Sequence, residues 1–215
     1  MNKAKLHIVV DPLCGWTYGA GPLIEAANNI EDLTVKIHSG GMLTGNNRKK
    51  IHVDWREFAL KNDKVIAERT GQVFGEQYTD GLLTDHSVVL DSSPASTAIL
   101  AAEQLGFAAA TMLNSIQKAY YQNGKNITQL QELVDIAVSN GLSRESFTQK
   151  FEQLKGEATS KYFDDSRILL QNINGRGFPS SAIEFDNNQW QELDIASYYG
   201  QTEAWQTQLA SLLKH

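Results

Sequence analysis

The first forty residues show a hydrophobic pattern that predicts a strand, a helix and a second strand. Residues 6–10 and 33–38 are short apolar or β-branched runs bounded by turn-forming residues, which is typical of strands. Apolar positions recur at helical spacing over residues 14–30, and Pro22 should interrupt or restart this helix because proline has no backbone N–H to donate. A strand, a helix and a strand over this length form a βαβ unit, which predicts a parallel pair of strands.

A long helical stretch follows over residues 53–171 and is divided into several helices by turn-forming residues. Three of their starts carry recognisable capping residues. These are Ser93 before Pro94, Thr128 with Gln131 three residues later, and Ser143. Strand patterns return at residues 181–185 and 190–193 and predict a hairpin, after which Thr202 should cap a last helix. This order predicts a small α/β sheet domain interrupted by a helical domain.

The composition is that of a folded protein of ordinary polarity. The chain has 215 residues, of which 41% are hydrophobic and 20% charged, so it can bury a core without disulfide or metal staples. Its net charge of -6 argues against a nucleic-acid partner, because proteins that bind the phosphate backbone need a basic surface. No apolar run approaches the roughly 18 residues of a membrane-spanning helix or resembles a secretory signal, so we expect a cytoplasmic protein without membrane contacts.

Cys14 is the single cysteine of the chain and lies on the predicted turn between the first strand and its helix. At the start of a helix, backbone amides such as those of Trp16 and Thr17 point toward the side chain and stabilise negative charge. The hydroxyl of Thr17 lies one helical turn away and can add a hydrogen bond. We therefore expect a lowered pKa and a reactive thiolate, the alternative being one of the many free cysteines that are buried and inert.

Two segments carry a resemblance to a known family. The sequence DPLCGWTYG at residues 11–19 resembles the active-site segment of the DsbA-like branch of the thioredoxin superfamily, and GFPS at residues 177–180 is similar to that family's loop with a cis proline. The resemblance extends over essentially the whole chain and implies an α/β protein, with a thioredoxin-like fold and an inserted α-helical domain. Residues 1–45 and 172–215 would form the discontinuous thioredoxin-like domain, and residues 46–171 would form the helical insertion.

The resemblance also implies roles for individual residues. Cys14 looks like the nucleophile of thiol–disulfide exchange, Pro179 looks like the cis proline beside it, and the backbone of Phe178 would pair with an extended peptide or with glutathione. Trp16 would form the rim of this groove. The family usually has a second cysteine where this chain has Thr17, so an external thiol, glutathione, is expected to complete the reaction. The implied function is a monothiol oxidoreductase acting on disulfide-containing peptides or small molecules, with no tightly bound cofactor.

Two other functions stay open at the level of sequence. Kappa-class glutathione transferases and 2-hydroxychromene-2-carboxylate isomerases share this insertion architecture and generally have serine in the place of Cys14, so a glutathione-dependent transferase or isomerase is one alternative. A non-catalytic peptide-binding module that retains the groove is the other. A metal site is not expected, because the five histidines show no ligand spacing and one cysteine gives no zinc site.

Overall fold

A four-stranded mixed sheet joins strands from both halves of the chain in the structure, a computed structural model that describes residues 4–214. The strands are β1 (Ala4–Val10), β2 (Leu33–Ser39), β3 (Lys49–Lys50), β4 (Val89–Leu90), β5 (Ser180–Phe185) and β6 (Trp190–Leu193). The sheet has the order β2-β1-β5-β6, while β3 and β4 form a separate small ladder. The parallel pairing of β1 with β2 and the antiparallel hairpin β5-β6 confirm the two predicted strand pairs.

Helices pack against this sheet and occupy most of the sequence between β2 and β5. They are α1 (Gly15–Gly19), α2 (Gly21–Asn28), α3 (Val53–Thr70), α4 (Ser92–Gln104), α5 (Ala109–Tyr121), α6 (Leu130–Ser139), α7 (Arg144–Leu154), α8 (Glu157–Asn172) and α9 (Thr202–Leu212). α2 packs on β2 and α9, and α8 contacts β1 and β2. Within residues 4–214, no helix combines the length and the apolar character needed to cross a membrane.

Alternate residues of β1 belong to two different hydrophobic clusters, as the twofold period of a strand requires. Leu6 lies in the large core that extends from the sheet to Phe147 of α7. Val9 packs in a smaller cluster with Ile173 and Ala182, and Phe178 lies against this cluster. The smaller cluster therefore supports the loop that precedes β5, which forms part of the candidate site.

The predicted domain boundaries, with residues 1–45 and 172–215 forming one domain and 46–171 the other, stay a prediction. The large core includes buried side chains from the sheet and from the intervening helices. α8, which lies almost entirely in the predicted insertion, also packs directly on β1 and β2. The helical segment is therefore packed against the sheet as well as against itself.

The break in the first helix lies where the sequence predicted it. α1 ends at Gly19, and α2 begins at Gly21 with Pro22 in its first turn. An amide in that turn has no partner within the helix, so the missing N–H of proline is tolerated there. The result is a short α1 that begins directly after Cys14.

The predicted helix caps are confirmed in one case and shifted in another. Ser143 caps α7 by accepting a hydrogen bond from the Ser146 amide. The N-cap of α4 is Asp91 rather than Ser93, and its carboxylate accepts a hydrogen bond from the Ser93 amide at 2.8 Å. A carboxylate also interacts favourably with the positive end of the helix dipole, and Pro94 fits within the first turn.

The two other predicted caps do not form. α6 begins two residues after Thr128, whose hydroxyl donates to the side chain of Asn126 at 2.7 Å. Gln131 instead donates to Asp135 within the helix, at 2.9 Å. Thr202 is the first residue of α9, and the residue before it makes no side-chain cap. Competition from such local partners explains why a matching spacing of Thr128 and Gln131 does not produce a capping box.

Candidate active site

Cys14 lies in the turn that connects β1 to α1. The turn is closed by a hydrogen bond from the Cys14 amide to the Asp11 carbonyl at 3.1 Å, and the Asp11 carboxylate accepts one from the Leu13 amide at 2.9 Å. Cys14 occupies the N-cap of α1 with extended backbone angles, φ -88° and ψ 117°. Its side chain makes no capping hydrogen bond to the helix, although the nearby Trp16 and Thr17 amides favour negative charge on the sulfur and so act to lower the pKa of Cys14. Only 9% of the residue's surface is exposed.

The loop before β5 brings Phe178 and Pro179 against this cysteine. The Phe178–Pro179 peptide bond is cis, which is the isomer that the resemblance implies. The Cys14 thiol donates a hydrogen bond to the Phe178 carbonyl oxygen at 3.3 Å. Gly40, just after β2, permits this arrangement because a β-carbon at that position would lie 2.3 Å from the Phe178 ring. Phe178 therefore contacts two segments that are distant in sequence, the Cys14 turn through its carbonyl and the Gly40 segment through its ring.

The expected lowering of the Cys14 pKa is wrong. Burial of the sulfur raises the pKa of Cys14, because the thiolate would lose its hydration. The amides of Thr17 and Trp16 and the Thr17 hydroxyl favour the thiolate without offsetting this effect, and the Asp11 carboxylate further opposes ionisation. The sequence indicated the hydrogen-bond donors but not how completely the fold removes water from the sulfur.

Asp11 is a fully buried carboxyl that holds the turn before the cysteine. It accepts hydrogen bonds from the Met42 amide at 2.6 Å, the Leu13 amide at 2.9 Å and the Ser92 hydroxyl at 2.9 Å. Burial raises the pKa of Asp11 to about 6, although these hydrogen bonds favour its ionised form. Asp11 therefore ties the end of β1 to the segment after β2 and to the start of α4.

An open groove lies beside the Phe178–Pro179 segment, and Trp16 forms one of its walls. Trp16 stacks on Tyr199 with ring centroids 5.4 Å apart, and the Tyr199 hydroxyl donates to the Trp16 carbonyl at 3.0 Å. The Arg69 guanidinium lies over both rings, 5.3 Å and 5.6 Å from their centroids. Arg176 lines the same groove.

The sequence-based set of site residues missed six members of this groove, which are Arg69, Arg176, Gly177, Ser180, Ala196 and Tyr199. Arg176 had a local signal, because it stands two residues before Phe178. Arg69 lies in the last turn of α3 and Tyr199 lies close to the start of α9, so no spacing connects either of them to Cys14. The packing of α3 on α1 brings Arg69 to the groove.

A second buried carboxyl, Asp63 of α3, lies behind α1. Gly15 permits this contact, because a β-carbon there would be 3.3 Å from the Asp63 Oδ1 atom. The Tyr78 hydroxyl donates to Asp63 at 3.1 Å, and none of the lysines, arginines or histidines that the structure describes forms an ion pair with it. Burial raises the pKa of Asp63 to about 7. This carboxyl titrates near neutral pH, although its sequence context showed nothing unusual.

Two histidines that share no ligand spacing meet on the sheet. The parallel register of β1 and β2 places His7 Nδ1 3.0 Å from His38 Nε2, and His7 Nε2 lies 3.0 Å from the Glu184 carboxylate. Since a carboxylate only accepts, His7 donates to Glu184 and accepts from His38. Burial lowers the pKa of both imidazoles, that of His38 to about 4. Within residues 4–214, no group of three or more His, Cys, Asp or Glu side chains is placed to hold a metal ion.

Comparison with known proteins gives one family and several similar structures. A family model described as the DSBA-like thioredoxin domain matches residues 5–194. The chain is similar to the solved structure of the cytosolic disulfide reductase DsbM from Pseudomonas aeruginosa, with 40% identity, 98% of each chain covered and a TM-score of 0.91. It is also similar to the same protein solved with GSH, with 39% identity, 98% of this chain and 100% of that chain covered, and a TM-score of 0.90.

A more distant likeness concerns one of the alternative functions. A 2-hydroxychromene-2-carboxylate isomerase structure matches with 14% identity, 97% of each chain covered and a TM-score of 0.57. At that identity the match shows a shared fold alone. No curated protein matches the sequence.

Proposed function

This chain belongs to the family of DSBA-like thioredoxin domains, a family of thiol–disulfide oxidoreductases, and we propose that it uses Cys14 as a single nucleophile with glutathione as the reducing thiol. The observation that carries the proposal is the contact of the Cys14 sulfur with the Phe178 carbonyl, 3.3 Å away, beside the cis bond to Pro179. Phe178, which accepts the hydrogen bond from this thiol, lines an open groove in which an extended disulfide substrate can lie. Thr17, close to the sulfur, supplies no second thiol.

The proposed reaction has three steps. The Cys14 thiolate attacks one sulfur of a substrate disulfide, so that a new S–S bond forms, the old one breaks and the other half leaves as a thiolate that takes up a proton. Glutathione thiolate then attacks the Cys14 sulfur of the mixed disulfide. This releases the second half of the substrate as a thiol and leaves glutathione on Cys14. A second glutathione thiolate then attacks the glutathione sulfur of that adduct, which forms glutathione disulfide and releases the Cys14 thiolate. The sum is the reduction of one disulfide to two thiols and the oxidation of two glutathione molecules to glutathione disulfide. Cys14 is therefore in its reduced form at the beginning and at the end of each cycle.

The resting state of Cys14 is a protonated thiol in this mechanism. The thiol donates to the Phe178 carbonyl, and burial raises the Cys14 pKa. When the proton leaves, the Phe178 carbonyl loses its donor and is free to accept a hydrogen bond from the backbone of an extended substrate. The amides of Trp16 and Thr17 and the Thr17 hydroxyl then stabilise the thiolate that attacks. Substrate docking and ionisation of the thiol are thereby linked through one carbonyl group.

Glutathione is the external thiol that fits this chain best. With one cysteine in 215 residues, the protein cannot resolve its own mixed disulfide. The similar DsbM protein from Pseudomonas aeruginosa, at 39% identity, has been solved with GSH. We propose the cytoplasm as the compartment, because that relative is described as cytosolic and because thiols are kept reduced there. Cell fractionation that found the protein outside the cytoplasm would contradict this location.

The test of the proposed function is incubation with glutathione disulfide near neutral pH followed by intact-mass measurement. We expect one glutathione on the wild type and none on Cys14→Ser, and we expect free glutathione to remove the adduct. The second assay is glutathione-dependent reduction of a peptide disulfide, which should occur with the wild type and not with Cys14→Ser. Absence of the adduct from the wild type would overturn the proposal.

One observation supports the non-catalytic alternative. The raised pKa of Cys14 lowers the fraction of thiolate at neutral pH, as in an inert buried cysteine. A peptide-binding module would bind a disulfide peptide in the groove without forming an adduct, so the same mass measurement separates the two functions. The transferase or isomerase alternative has no comparable support, since its structural likeness shows the fold alone.

A further inference from the structure

The groove beside Cys14 carries positive charge in an acidic protein. Its lining contains the arginines Arg69 and Arg176 and no aspartate or glutamate, whereas the chain as a whole has a net charge of -6. The other residues of the lining have uncharged side chains. These residues are Trp16, Gly177, Phe178, Pro179, Ser180, Ala196 and Tyr199.

Arg69 is held in a defined position. Its guanidinium lies over the stacked rings of Trp16 and Tyr199, at 5.3 Å and 5.6 Å, which favours the cation through its interaction with the ring faces. Gly200 packs closely on the Arg69 backbone, because a β-carbon at Gly200 would come within 2.9 Å of the Arg69 carbonyl oxygen. A guanidinium stacked in this way keeps its N–H groups free at the edge of the plane, where they can meet a carboxylate.

The two groove arginines differ from the other arginines of the chain. Within residues 4–214, neither Arg69 nor Arg176 makes an ion pair or a side-chain hydrogen bond. The remaining four each lie within 4 Å of an aspartate. The pairs are Arg48 with Asp91, Arg56 with Asp80, Arg144 with Asp135 and Arg167 with Asp164.

Two carboxylates near Arg176 are engaged by other residues. Asp194 and Glu192 line a neighbouring depression together with Arg176. Asp194 accepts hydrogen bonds from the Ala196 amide and the Ser197 hydroxyl, and Glu192 accepts one from Asn174. Neither carboxylate neutralises Arg176 by an ion pair, so the positive charge of the groove is available to a ligand.

We propose that Arg69 and Arg176 select substrates that carry a glutathione moiety, by binding the carboxylates of that moiety while its sulfur faces Cys14. This inference rests on the proposed function. Glutathione has two carboxylates, and a guanidinium binds a carboxylate through two parallel hydrogen bonds. With the glutathione half held in the groove, Cys14 attacks the glutathione sulfur and the other half leaves as a free thiol. The thiolate of a second glutathione then attacks the sulfur of the bound glutathione, which releases glutathione disulfide and the Cys14 thiolate.

The test compares two disulfides that differ in charge. Glutathione disulfide is anionic and bis(2-hydroxyethyl) disulfide is neutral, and the second-order rate constant of Cys14 modification is measured for each by intact mass. The variants are Arg69→Gln with Arg176→Gln, and Arg144→Gln as the matched control, because Arg144 is ion-paired on α7. Circular dichroism and thermal unfolding of each variant show whether the fold is kept.

We expect the ratio of the anionic to the neutral rate constant to fall about tenfold in the double variant and to stay within about twofold in Arg144→Gln, since each exposed charge interaction contributes a few-fold. Arg69→Lys with Arg176→Lys should recover part of the ratio. Salt of about 1 M should lower the wild-type ratio, because the Debye length there is only about 3 Å.

The outcomes separate the inference from the function on which it rests. If both disulfides modify Cys14 and the double variant keeps the wild-type ratio, the arginines do not select glutathione and the oxidoreductase function stands. An equal fall in Arg144→Gln also overturns the inference, because net charge alone would then explain it. If neither disulfide modifies the wild type, the proposed function itself is wrong.

Discussion

The sulfur of Cys14 lies 3.3 Å from the carbonyl oxygen of Phe178, a residue 164 positions later in the chain. The thiol donates and the carbonyl accepts, so the bond exists only while Cys14 is protonated. It holds the sulfur against Phe178, which lines the groove, and it leaves the carbonyl free to accept another hydrogen bond once the proton has gone. Four predictions concern residues near this contact, which are Thr17, Gly40 and Asp63.

Replacing Thr17 with valine should raise the pKa of Cys14 further. The substitution keeps the β-branched shape and removes the hydroxyl that favours the thiolate. The thiolate loses one favourable interaction of about 1 kcal/mol, whereas the neutral thiol is affected less. The rate of Cys14 alkylation against pH measures the change. Thr17→Ser is the control and should stay close to the wild type; equal pKa values in Thr17→Val and Thr17→Ser would show that the hydroxyl has no such role.

Replacing Thr17 with cysteine should create a dithiol enzyme. The new thiol would lie one helical turn from Cys14 and could displace the substrate half of a mixed disulfide. We expect the oxidised variant to contain an internal disulfide and to resolve its mixed disulfide without glutathione, as measured by intact mass. Thr17→Ser serves again as the control because it adds no sulfur. A Thr17→Cys protein that keeps two free thiols under oxidising conditions would contradict the proximity of residue 17 to the sulfur.

Replacing Gly40 with alanine should disturb the Cys14–Phe178 contact by displacing the Phe178 ring. The new β-carbon would come within 2.3 Å of the Phe178 ring, so the ring has to move and its carbonyl moves with it. Overpacking of this kind costs about 1–3 kcal/mol. We expect a lower melting temperature and a changed rate of Cys14 modification by glutathione disulfide. Gly81→Ala is the matched control, because a β-carbon there meets no atom within 4 Å; it should change the Cys14 reaction rate little.

Replacing Asp63 with asparagine should alter how stability depends on pH. Burial raises the folded-state pKa of Asp63 from its ordinary 3.8 to about 7, so the folded protein holds a proton that the unfolded chain has lost. That contribution to stability is fully present below about pH 4 and is lost as the pH rises to about 7. The difference between these two pKa values corresponds to a loss of at most about 4 kcal/mol in the free energy of unfolding. Asparagine can still accept the hydrogen bond from Tyr78 and does not ionise.

Urea unfolding of the wild type and Asp63→Asn at about pH 4 and about pH 8 measures this effect. The loss of unfolding free energy between the two pH values should be smaller in Asp63→Asn by about 2 kcal/mol or more. Asp54→Asn, at a side chain on the same helix that is 93% exposed, is the control and should follow the wild type. Parallel curves for the wild type and Asp63→Asn would mean that Asp63 does not titrate in this range.

Much of the fold follows from short-range pattern. Residues 6–10 and 33–38 were recognised as strands, and the position of Pro22 predicted the break between α1 and α2, because each signal depends on neighbours within a few positions. Caps were less predictable. The N-cap of α4 is Asp91 and not the predicted Ser93, and the Thr128 hydroxyl donates to Asn126 in the preceding turn. Several polar side chains near a helix end compete for the same hydrogen-bond partners, which makes the cap residue hard to predict.

The sequence by itself determined the βαβ start, the ββα end, the place of Cys14 at the opening of α1 and the absence of a second thiol. The tertiary structure alone decided that the sulfur is buried against Phe178, that its pKa is raised, and that Arg69 stacks with Trp16 and Tyr199 beside it. Helix and strand patterns are local, whereas desolvation and side-chain stacking depend on every atom that the fold brings within a few ångströms. Those atoms come from segments that no spacing along the chain connects.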